Sequence, residues 1–242
     1  MVILDLHTHS EFSDGKISVA QIVEIANSFH YKVGIADHYG PCDKLFSEEA
    51  LTSYLEYLQK FPVYKSIELD LGKEPVISHQ ALDKLDYVIG GVHHWGEICF
   101  FDGNASVEKP EQLIEGILRL LEKSMEHYHL DILAHPTLLP ISLKEKITEL
   151  IFQTQWAERL IALACEKNVA LEISARWPAP DEKFYEMAMR KGVKFSLGSD
   201  GHNLEKVCRL EYPLNIVRKL NIPESQIFRP LSTNRSPQTA EK

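Results

Sequence analysis

Residues 2–15 read VILDLHTHSEFSDG, and this stretch places two histidines at the end of a short apolar run. The run predicts a buried first strand over residues 2–6, and an acidic turn with Asp14 follows it. Side chains at positions i and i+2 of a strand face the same way, so His7 and His9 can point into one pocket. The stretch therefore predicts a strand that ends at a polar pocket.

The order strand, then helix, repeats nearly to the end of the chain. Predicted strands cover residues 2–6, 32–36, 63–71, 87–92, 131–134, 169–173 and 193–197. Predicted helices follow Ser18 and Ser47, start at Pro110, and cover residues 142–166 (broken once), 181–191 and 207–220. This alternation implies an α/β fold with a parallel sheet or barrel and about seven βα units.

The chain has 242 residues, which is enough for one barrel-sized domain. We expect a single domain over residues 1–222. Residues 223–242 are polar and include Pro, Ser and Thr, so we expect a C-terminal extension that is partly disordered.

The formal net charge of −9 argues against a long nucleic acid as partner, because proteins that neutralise many phosphates are normally basic. A small phosphorylated substrate stays compatible, since bound divalent metals would reverse the sign of an acidic pocket. The cysteines Cys42, Cys99, Cys165 and Cys208 are scattered, so neither a zinc ribbon nor a disulfide framework is expected. No apolar run is long enough for a membrane span, and we expect a cytoplasmic enzyme.

Histidines and carboxylates follow most of the predicted strands. The candidate metal ligands are His7, His9, Asp14, His38, Glu68, His93, His135, Asp200 and His202. The carboxyl ends of parallel strands meet at one mouth, so the fold would bring these residues together. Imidazole and carboxylate groups suit zinc, iron or manganese, and nine ligands exceed the needs of one ion. The pattern predicts two or three divalent metals.

Other interpretations stay open for single residues. A lone buried histidine is more often a hydrogen-bonded core residue than a ligand. Asp5 can orient a ligand instead of binding metal, and Glu68 with Asp70 can form an exposed acidic edge. We interpret the histidines outside the strand ends as surface residues; they are His30, His79, His127 and His129. The chain contains no GxSxG, GxxxxGK[ST] or HExxH motif.

The motifs DLHTHS, SDG, IADH, SIELD, GGVHH, ILAHP and LGSDGH occur in this order over residues 2–202. The series resembles that of the PHP (polymerase and histidinol phosphatase) family. The resemblance implies a distorted (β/α)7 TIM-like barrel, with the active site and two or three metals at the C-terminal ends of the strands.

The resemblance also implies how the ligands are shared among the metals. His7, His9, Glu68 and Asp200 would hold one metal. Glu68 would bridge to a second, held with His93 and His135. His38, His202 and Asp14 would hold a third.

Two positions depart from the histidinol phosphatase-like members. Asp14 stands where those members often carry a histidine, so the third site would differ in affinity or metal preference. Gly91 stands where a serine is frequent. Neither change removes a ligand.

The implied nucleophile is a metal-bound hydroxide, positioned by the residues that hold the metals, because divalent metals lower the pKa of bound water. Arg176 resembles the residues that grip phosphate in this family, and Arg209 is a poorer candidate; either can also be a surface arginine. His94 and Trp177 either shape the substrate pocket or simply pack. The residue that protonates the leaving group is not identified.

The predicted function is a metal-dependent phosphoesterase that hydrolyses a small phosphomonoester. Alternatives are a phosphatase specific for histidinol phosphate, a nuclease acting on short oligonucleotides or nucleotides, and a hydrolase of C–N bonds. A non-catalytic metal-binding module would be expected to lack ligands, and none is missing.

Overall fold

The computed structural model of the protein describes residues 2–41 and 43–230. Seven parallel strands form one sheet in the order β1-β2-β3-β4-β7-β8-β9. Their bounds are β1 Leu4–Thr8, β2 Lys32–Tyr39, β3 Tyr64–Asp70, β4 Ile89–Gly91, β7 Ile132–Leu133, β8 Ala170–Ser174 and β9 Phe195–Gly198. The short strands β5 (His94–Trp95) and β6 (Ile98–Cys99) form a separate antiparallel hairpin after β4.

The first and last strands of the sheet meet and nearly close it into a barrel. Asp200 N donates to His7 O at 2.8 Å, and His9 N donates to Gly201 O at 2.9 Å. Thr8 and Gly201 form a parallel bridge. The structure therefore confirms the predicted (β/α)7 TIM-like barrel.

Helices surround the barrel. They are α1 Val19–Ser28, α2 Glu48–Leu58, α3 His79–Leu82, α4 Pro110–Tyr128, α5 Ile147–Gln153, α6 Trp156–Glu166, α7 Lys183–Lys191 and α8 Glu211–Lys219. Short 3₁₀ segments cover Leu71–Lys73, Ile141–Lys146 and Glu224–Gln226. Ser18 caps α1 in a capping box with Gln21, Ser47 caps α2, and Pro110 occupies the first turn of α4. Among the described residues, no helix combines the length and the apolar character that crossing a bilayer requires.

The apolar core has two parts. The larger part packs the helices against the outside of the sheet. The smaller part comes from strands and the residues next to them, and it lies inside the ring of strands; its members are Leu4, Leu6, Ala36, Tyr87, Ile89, Ile132, Ala134 and Ala170. The inside of a small barrel is filled by side chains from its own strands and their flanking residues, so it forms a packed core and not a pore.

Two predicted segments differ in detail. The region predicted as a helix broken once over residues 142–166 begins with the 3₁₀ segment Ile141–Lys146 and is broken between α5 and α6, where Gln155 takes a left-handed conformation with φ 58°. In the predicted extension, Phe228 N donates to Phe195 O at 2.7 Å and Ile227 forms a bridge with Phe195, so these two residues pair with β9. The remainder of the extension, residues 231–242, lies outside the described residues.

Candidate metal centre

All nine candidate ligands lie at the C-terminal ends of the strands or in the loops that follow them. Six of them are buried and form what we call the inner group: His7, His9, Glu68, His93, His135 and Asp200. Three keep more solvent contact and form the outer group: Asp14, His38 and His202. The Asp14 side chain is 58% exposed, whereas those of His38 and His202 are 20% and 16% exposed.

Glu68 is at the centre of the inner group. Its Oε1 lies 3.1 Å from His135 Nε2 and 3.3 Å from His93 Nε2. Its Oε2 lies 3.2 Å from both His7 Nε2 and His38 Nδ1. Each oxygen of one carboxylate therefore faces a different set of imidazoles, which is the arrangement that a carboxylate bridging two cations requires.

Pairs of imidazole nitrogens face each other beside Glu68. Nε2 of His7 and Nε2 of His9 are 3.1 Å apart, and Nε2 of His93 and Nε2 of His135 are also 3.1 Å apart. Two nitrogen lone pairs this close repel each other unless a proton or a metal ion lies between them. This nitrogen and oxygen donor set fits zinc, iron or manganese.

The outer group is built around the exposed carboxylate of Asp14. Its Oδ2 is 3.1 Å from His202 Nε2, and its Oδ1 is 3.7 Å from His38 Nε2 and 3.8 Å from His9 Nδ1. His9 Nδ1 is buried and has no hydrogen-bond partner. A cation held by these groups would satisfy that orphaned nitrogen, so the residues present fit a metal.

Three sets of side chains in the described part of the chain could hold an ion: His7, His9 and Glu68; His38, Glu68 and His93; and His9, Asp14, His38 and His202. The sets overlap more than the resemblance implies. His9 belongs to an inner and an outer set, and His38 contacts Glu68 as well as Asp14. The structure thus connects the outer group directly to the inner one.

The pKa values in the cluster follow from burial and from neighbouring charges. Burial and the charge of His38 lower the pKa of His9 to about 3, so its ring is neutral and able to bind metal. Burial alone would raise the pKa of Asp200, but the hydrogen bond from His9 and the nearby charge of His7 hold it well below its usual range. For Asp14, contacts with His202 and His38 likewise outweigh burial and lower the pKa.

Glu172 was missed by the sequence analysis. Its Oε1 is 2.8 Å from His7 Nδ1, and its Oε2 accepts a hydrogen bond of 2.7 Å from the backbone N–H of His135. A carboxylate on Nδ1 keeps the proton there and leaves Nε2 of His7 free to bind metal. The available signal was a charged residue inside an otherwise apolar strand, VALEI at residues 169–173.

Three further carboxylates at the barrel mouth organise the backbone around the ligands. Asp5 accepts from Ser199 N and Cys208 N, both at 2.9 Å, and so fixes the turn that carries Asp200. Asp37 accepts from Ser10 and Ser13. Asp70 is buried and accepts from His93 N at 3.2 Å, so Glu68 and Asp70 do not form an exposed acidic edge.

The backbone of the site is adapted to its side chains. His135 and Asp200 have positive φ values of 30° and 50°, a conformation that costs energy for residues other than glycine. A Cβ at Gly91 would stand 2.6 Å from Glu68 Oε1, and one at Gly198 would stand 1.9 Å from Glu172 Oε1. Gly91, which departs from the frequent serine, therefore leaves room for the central carboxylate.

The predicted substrate residues lie around the same mouth. Arg176 Nη1 is 3.3 Å from Asp200 Oδ1 and 2.8 Å from His202 Nδ1. Arg209 is exposed, with its guanidinium over the Phe29 ring, and lines a cavity of about 490 Å³ together with Arg176. His94 Nδ1 is 2.6 Å from Asp70 Oδ2.

Trp177 packs against Phe101 and lies under the guanidinium of Arg176. The histidines interpreted as surface residues are all exposed: His30, His79, His127 and His129. The roles of the site residues remain predictions, although the fold brings all nine candidate ligands together.

The fold and the site define a class of protein: an α/β barrel with a cluster of histidines and carboxylates, able to hold several metal ions, at its carboxyl-terminal mouth. The family follows from a comparison of the sequence with known protein families. The model of the PHP domain matches residues 5–176, and the chain belongs to this family.

Two curated relatives are similar to the chain. One is the DNA polymerase/3'-5' exonuclease PolX of Bacillus subtilis (strain 168), 27% identical over 231 residues. The match covers 89% of this chain and 37% of PolX, so the chain spans little more than a third of that relative's length. The other is described as a probable phosphatase, from Caldanaerobacter subterraneus subsp. tengcongensis. It is 24% identical over 249 residues, covering 94% of this chain and 87% of the relative.

One solved structure has a similar fold. It is the crystal structure of hisK from Listeria monocytogenes, described there as a candidate histidinol phosphatase. The TM-score is 0.67 at 15% sequence identity, and the match covers 87% of this chain and 99% of that one. At this identity the likeness concerns the fold.

Proposed function

We propose that the protein is a metal-dependent phosphoesterase that hydrolyses a small phosphomonoester. The observation that carries the proposal is the position of Glu68, whose two oxygens each lie within 3.3 Å of imidazole nitrogens from different strand ends. A carboxylate in this position can hold two cations side by side. Membership of the PHP family and the similarity to a relative described as a probable phosphatase support the same conclusion.

The protein side chains have separate tasks in this reaction. Divalent ions held by the inner and outer groups would supply an acidic water, because a bound metal lowers the pKa of water from about 15.7 to about 7 in the best single-zinc case. Glu172 contacts His7 Nδ1 and so leaves Nε2 of His7 free to hold an ion. Arg176 extends over Asp200 and His202, where its planar guanidinium can donate to two phosphate oxygens at once. These contacts would neutralise and orient the phosphate.

A second candidate is the hydrolysis of nucleotide esters or short oligonucleotides. The similarity to PolX over 89% of the chain favours it, and a cavity of about 490 Å³ lies beside Arg176 at the mouth. Histidinol phosphate remains a specific alternative within the phosphomonoesters. The net charge of −9 argues against long nucleic acids.

The test is a substrate screen on the purified protein. Metal content is measured first, and the metal-free protein is then reloaded separately with zinc, manganese and iron. Each form is assayed for phosphate release from sugar phosphates, nucleoside monophosphates, histidinol phosphate and glycerol phosphate, and for cleavage of short oligonucleotides. Release from at least one monoester supports the proposal. Absence of phosphate release with every metal would overturn it, and cleavage of oligonucleotides alone would support the second candidate.

A further inference from the structure

An aromatic pair lies beside the metal centre, formed by Phe101 and Trp177. Phe101 follows the β5–β6 hairpin, whereas Trp177 follows β8. Their ring centroids are 5.5 Å apart and the rings are inclined by 33°. Two loops that are distant in sequence thus place two rings side by side at the mouth, and we call this pair the aromatic wall.

The aromatic wall touches the groups that would hold a phosphate. The Phe101 ring lies 5.5 Å from the ring of His93, a candidate metal ligand, with the same inclination of about 33–35°. The guanidinium of Arg176 lies 5.5 Å from the Trp177 ring centroid and also contacts Asp200. A phosphate bound between the metals and Arg176 would therefore have both rings as its neighbours.

Hydrogen bonds hold the backbone on both sides of the aromatic wall. Phe100, next to Phe101, is fully buried, donates its N–H to His93 O and accepts from Ile141 N, both at 2.8 Å. Trp177 N donates to Ser174 Oγ at 3.2 Å. Backbone that is already ordered adds little ordering cost when a ligand binds, which favours affinity.

Simple packing does not account for the exposure of Phe101, whose surface remains 43% accessible. Among the described residues, five large apolar side chains are exposed: Val2, Phe46, Val76, Phe101 and Leu204. Phe101 is the one of these five whose ring lies against a candidate metal ligand. An exposed ring at the edge of a polar site is a surface on which a planar ligand can stack.

We propose that the aromatic wall of Phe101 and Trp177 binds the planar ring of the substrate, so that the preferred phosphomonoester is one whose alcohol part carries an aromatic ring. The inference rests on the proposed function, because it takes the phosphate to lie on the metals and Arg176. Nucleobases and the imidazole of histidinol phosphate both supply such a ring. Aromatic side chains stack on many kinds of ring, so the aromatic wall would favour substrates that carry any planar ring over substrates without one.

The experiment compares each ring-bearing phosphomonoester with an analogue that lacks the ring. AMP and ribose 5-phosphate share the same primary phosphate and sugar, and only AMP carries a base. Histidinol phosphate is paired with phosphoethanolamine, which is an aminoalkyl phosphate without a ring. The kcat/KM ratio within each pair is measured on the reloaded enzyme. We expect AMP, histidinol phosphate or both to be preferred over the ring-free partner, and the pair with the larger ratio identifies the kind of ring.

Substitutions in the aromatic wall test whether it causes this preference. Phe101→Ala and Trp177→Ala are each expected to lower the ratio by about fivefold to a hundredfold, as for loss of a stacking partner. Phe101→Tyr keeps the ring and is expected to keep the ratio. Phe61→Ala is the matched control: Phe61 is a half-buried ring that packs on Tyr57 and precedes β3, at the opposite end of the barrel.

Two outcomes would contradict ring binding by the aromatic wall without contradicting the proposed phosphatase activity. One is hydrolysis of both members of each pair with ratios near one. The other is a ratio that Phe101→Ala and Trp177→Ala leave unchanged. If no substrate is hydrolysed, the proposed function fails, and calorimetry on the metal-loaded protein then tests the wall by itself. Tighter binding of AMP or histidinol phosphate than of its ring-free partner, lost in Phe101→Ala, supports the wall, and equal affinities overturn it.

Discussion

The inner and outer groups of the metal centre differ in how the chain supports them. Inner ligands are buried, and further buried groups hold them: Glu172 contacts His7 and the backbone of His135, and Asp70 accepts from the backbone of His93. The outer group depends on Asp14, a loop residue whose side chain is 58% exposed. Buried ligands with fixed partners need little reordering when an ion binds, whereas water competes with an exposed carboxylate for the ion. We therefore expect the inner group to bind its ions tightly and the outer group to hold an ion that exchanges with solvent.

The largest effect is expected from substitution within the inner group. Asp200→Ala removes a carboxylate that lies 3.3 Å from His9 Nε2, and His9→Ala removes the imidazole shared by an inner and an outer set. We expect both variants to lose bound metal and to have no detectable phosphatase activity. Metal analysis by mass spectrometry and phosphate release check this together.

Folding has to be verified for these two variants, since removal of a buried group can also unfold a protein. Circular dichroism and a thermal melt of the metal-free forms provide the control. Full activity in either folded variant would contradict the assignment of the inner group.

The fold could largely be predicted from the sequence because it depends on patterns that are local. Strand alternation placed His7 and His9 on one face, and the order of βα units implied the barrel that brings the strand ends together. The predicted and observed strand boundaries differ by a few residues. The first strand is predicted over residues 2–6, whereas β1 extends to Thr8 and so includes His7.

The support of the ligands could not be predicted, because it depends on contacts between distant residues. Glu172 and His7 are separated by 165 positions, and a carboxylate inside a strand carries no local sign of its partner. The positive φ values of His135 and Asp200 likewise have no local sequence signal, because neither residue is a glycine. The shared position of His38 between Glu68 and Asp14 requires side-chain geometry that spacing does not contain.

Glu172 provides the next test of the inner group. Glu172→Gln keeps the size of the side chain but offers one oxygen where two donors, His7 Nδ1 and His135 N, each need an acceptor. We expect metal affinity or activity to fall by about 10- to 100-fold, as for other residues that orient metal ligands. Titration of the metal-free protein with zinc, followed by activity assays, measures this.

Ser196→Ala is the matched control for Glu172→Gln. Ser196 pairs with Glu172 in the register of β8 and β9, and its buried hydroxyl has no hydrogen-bond partner. We expect this variant to bind zinc as the wild type does. Equal metal affinity in Glu172→Gln and wild type would show that Glu172 does not orient the ligands.

A smaller effect is expected in the outer group. Asp14→Ala removes the carboxylate between His38 and His202 while leaving the contacts of Glu68 in place. We expect loss of one metal equivalent, retention of the inner ions, and a decrease in activity of about tenfold, at the lower end for ligand-supporting residues. The metal content after dialysis against a mild chelator, compared with wild type, measures the loss.

Glu11→Gln serves as the control in the same loop, because it changes an exposed carboxylate three residues before Asp14. It is expected to keep the wild-type metal content. If Asp14→Ala instead lost all its metal, the division into a tight inner and an exchangeable outer group would be wrong.

The smallest effect is expected where charges pair far from the mouth. Arg159 on α6 donates to both oxygens of Glu115 on α4, at 2.5 and 3.1 Å, and the two side chains are 49% and 37% exposed. Water screens such a pair, so Arg159→Ala is expected to lower the free energy of unfolding by about 0.2 to 1 kcal/mol and to leave metal content unchanged. Urea unfolding at low and high salt measures this, with a smaller difference at high salt. Loss of metal in Arg159→Ala would show that charge pairs outside the barrel mouth also support the site, and the contrast between buried and exposed charges would then not explain metal binding.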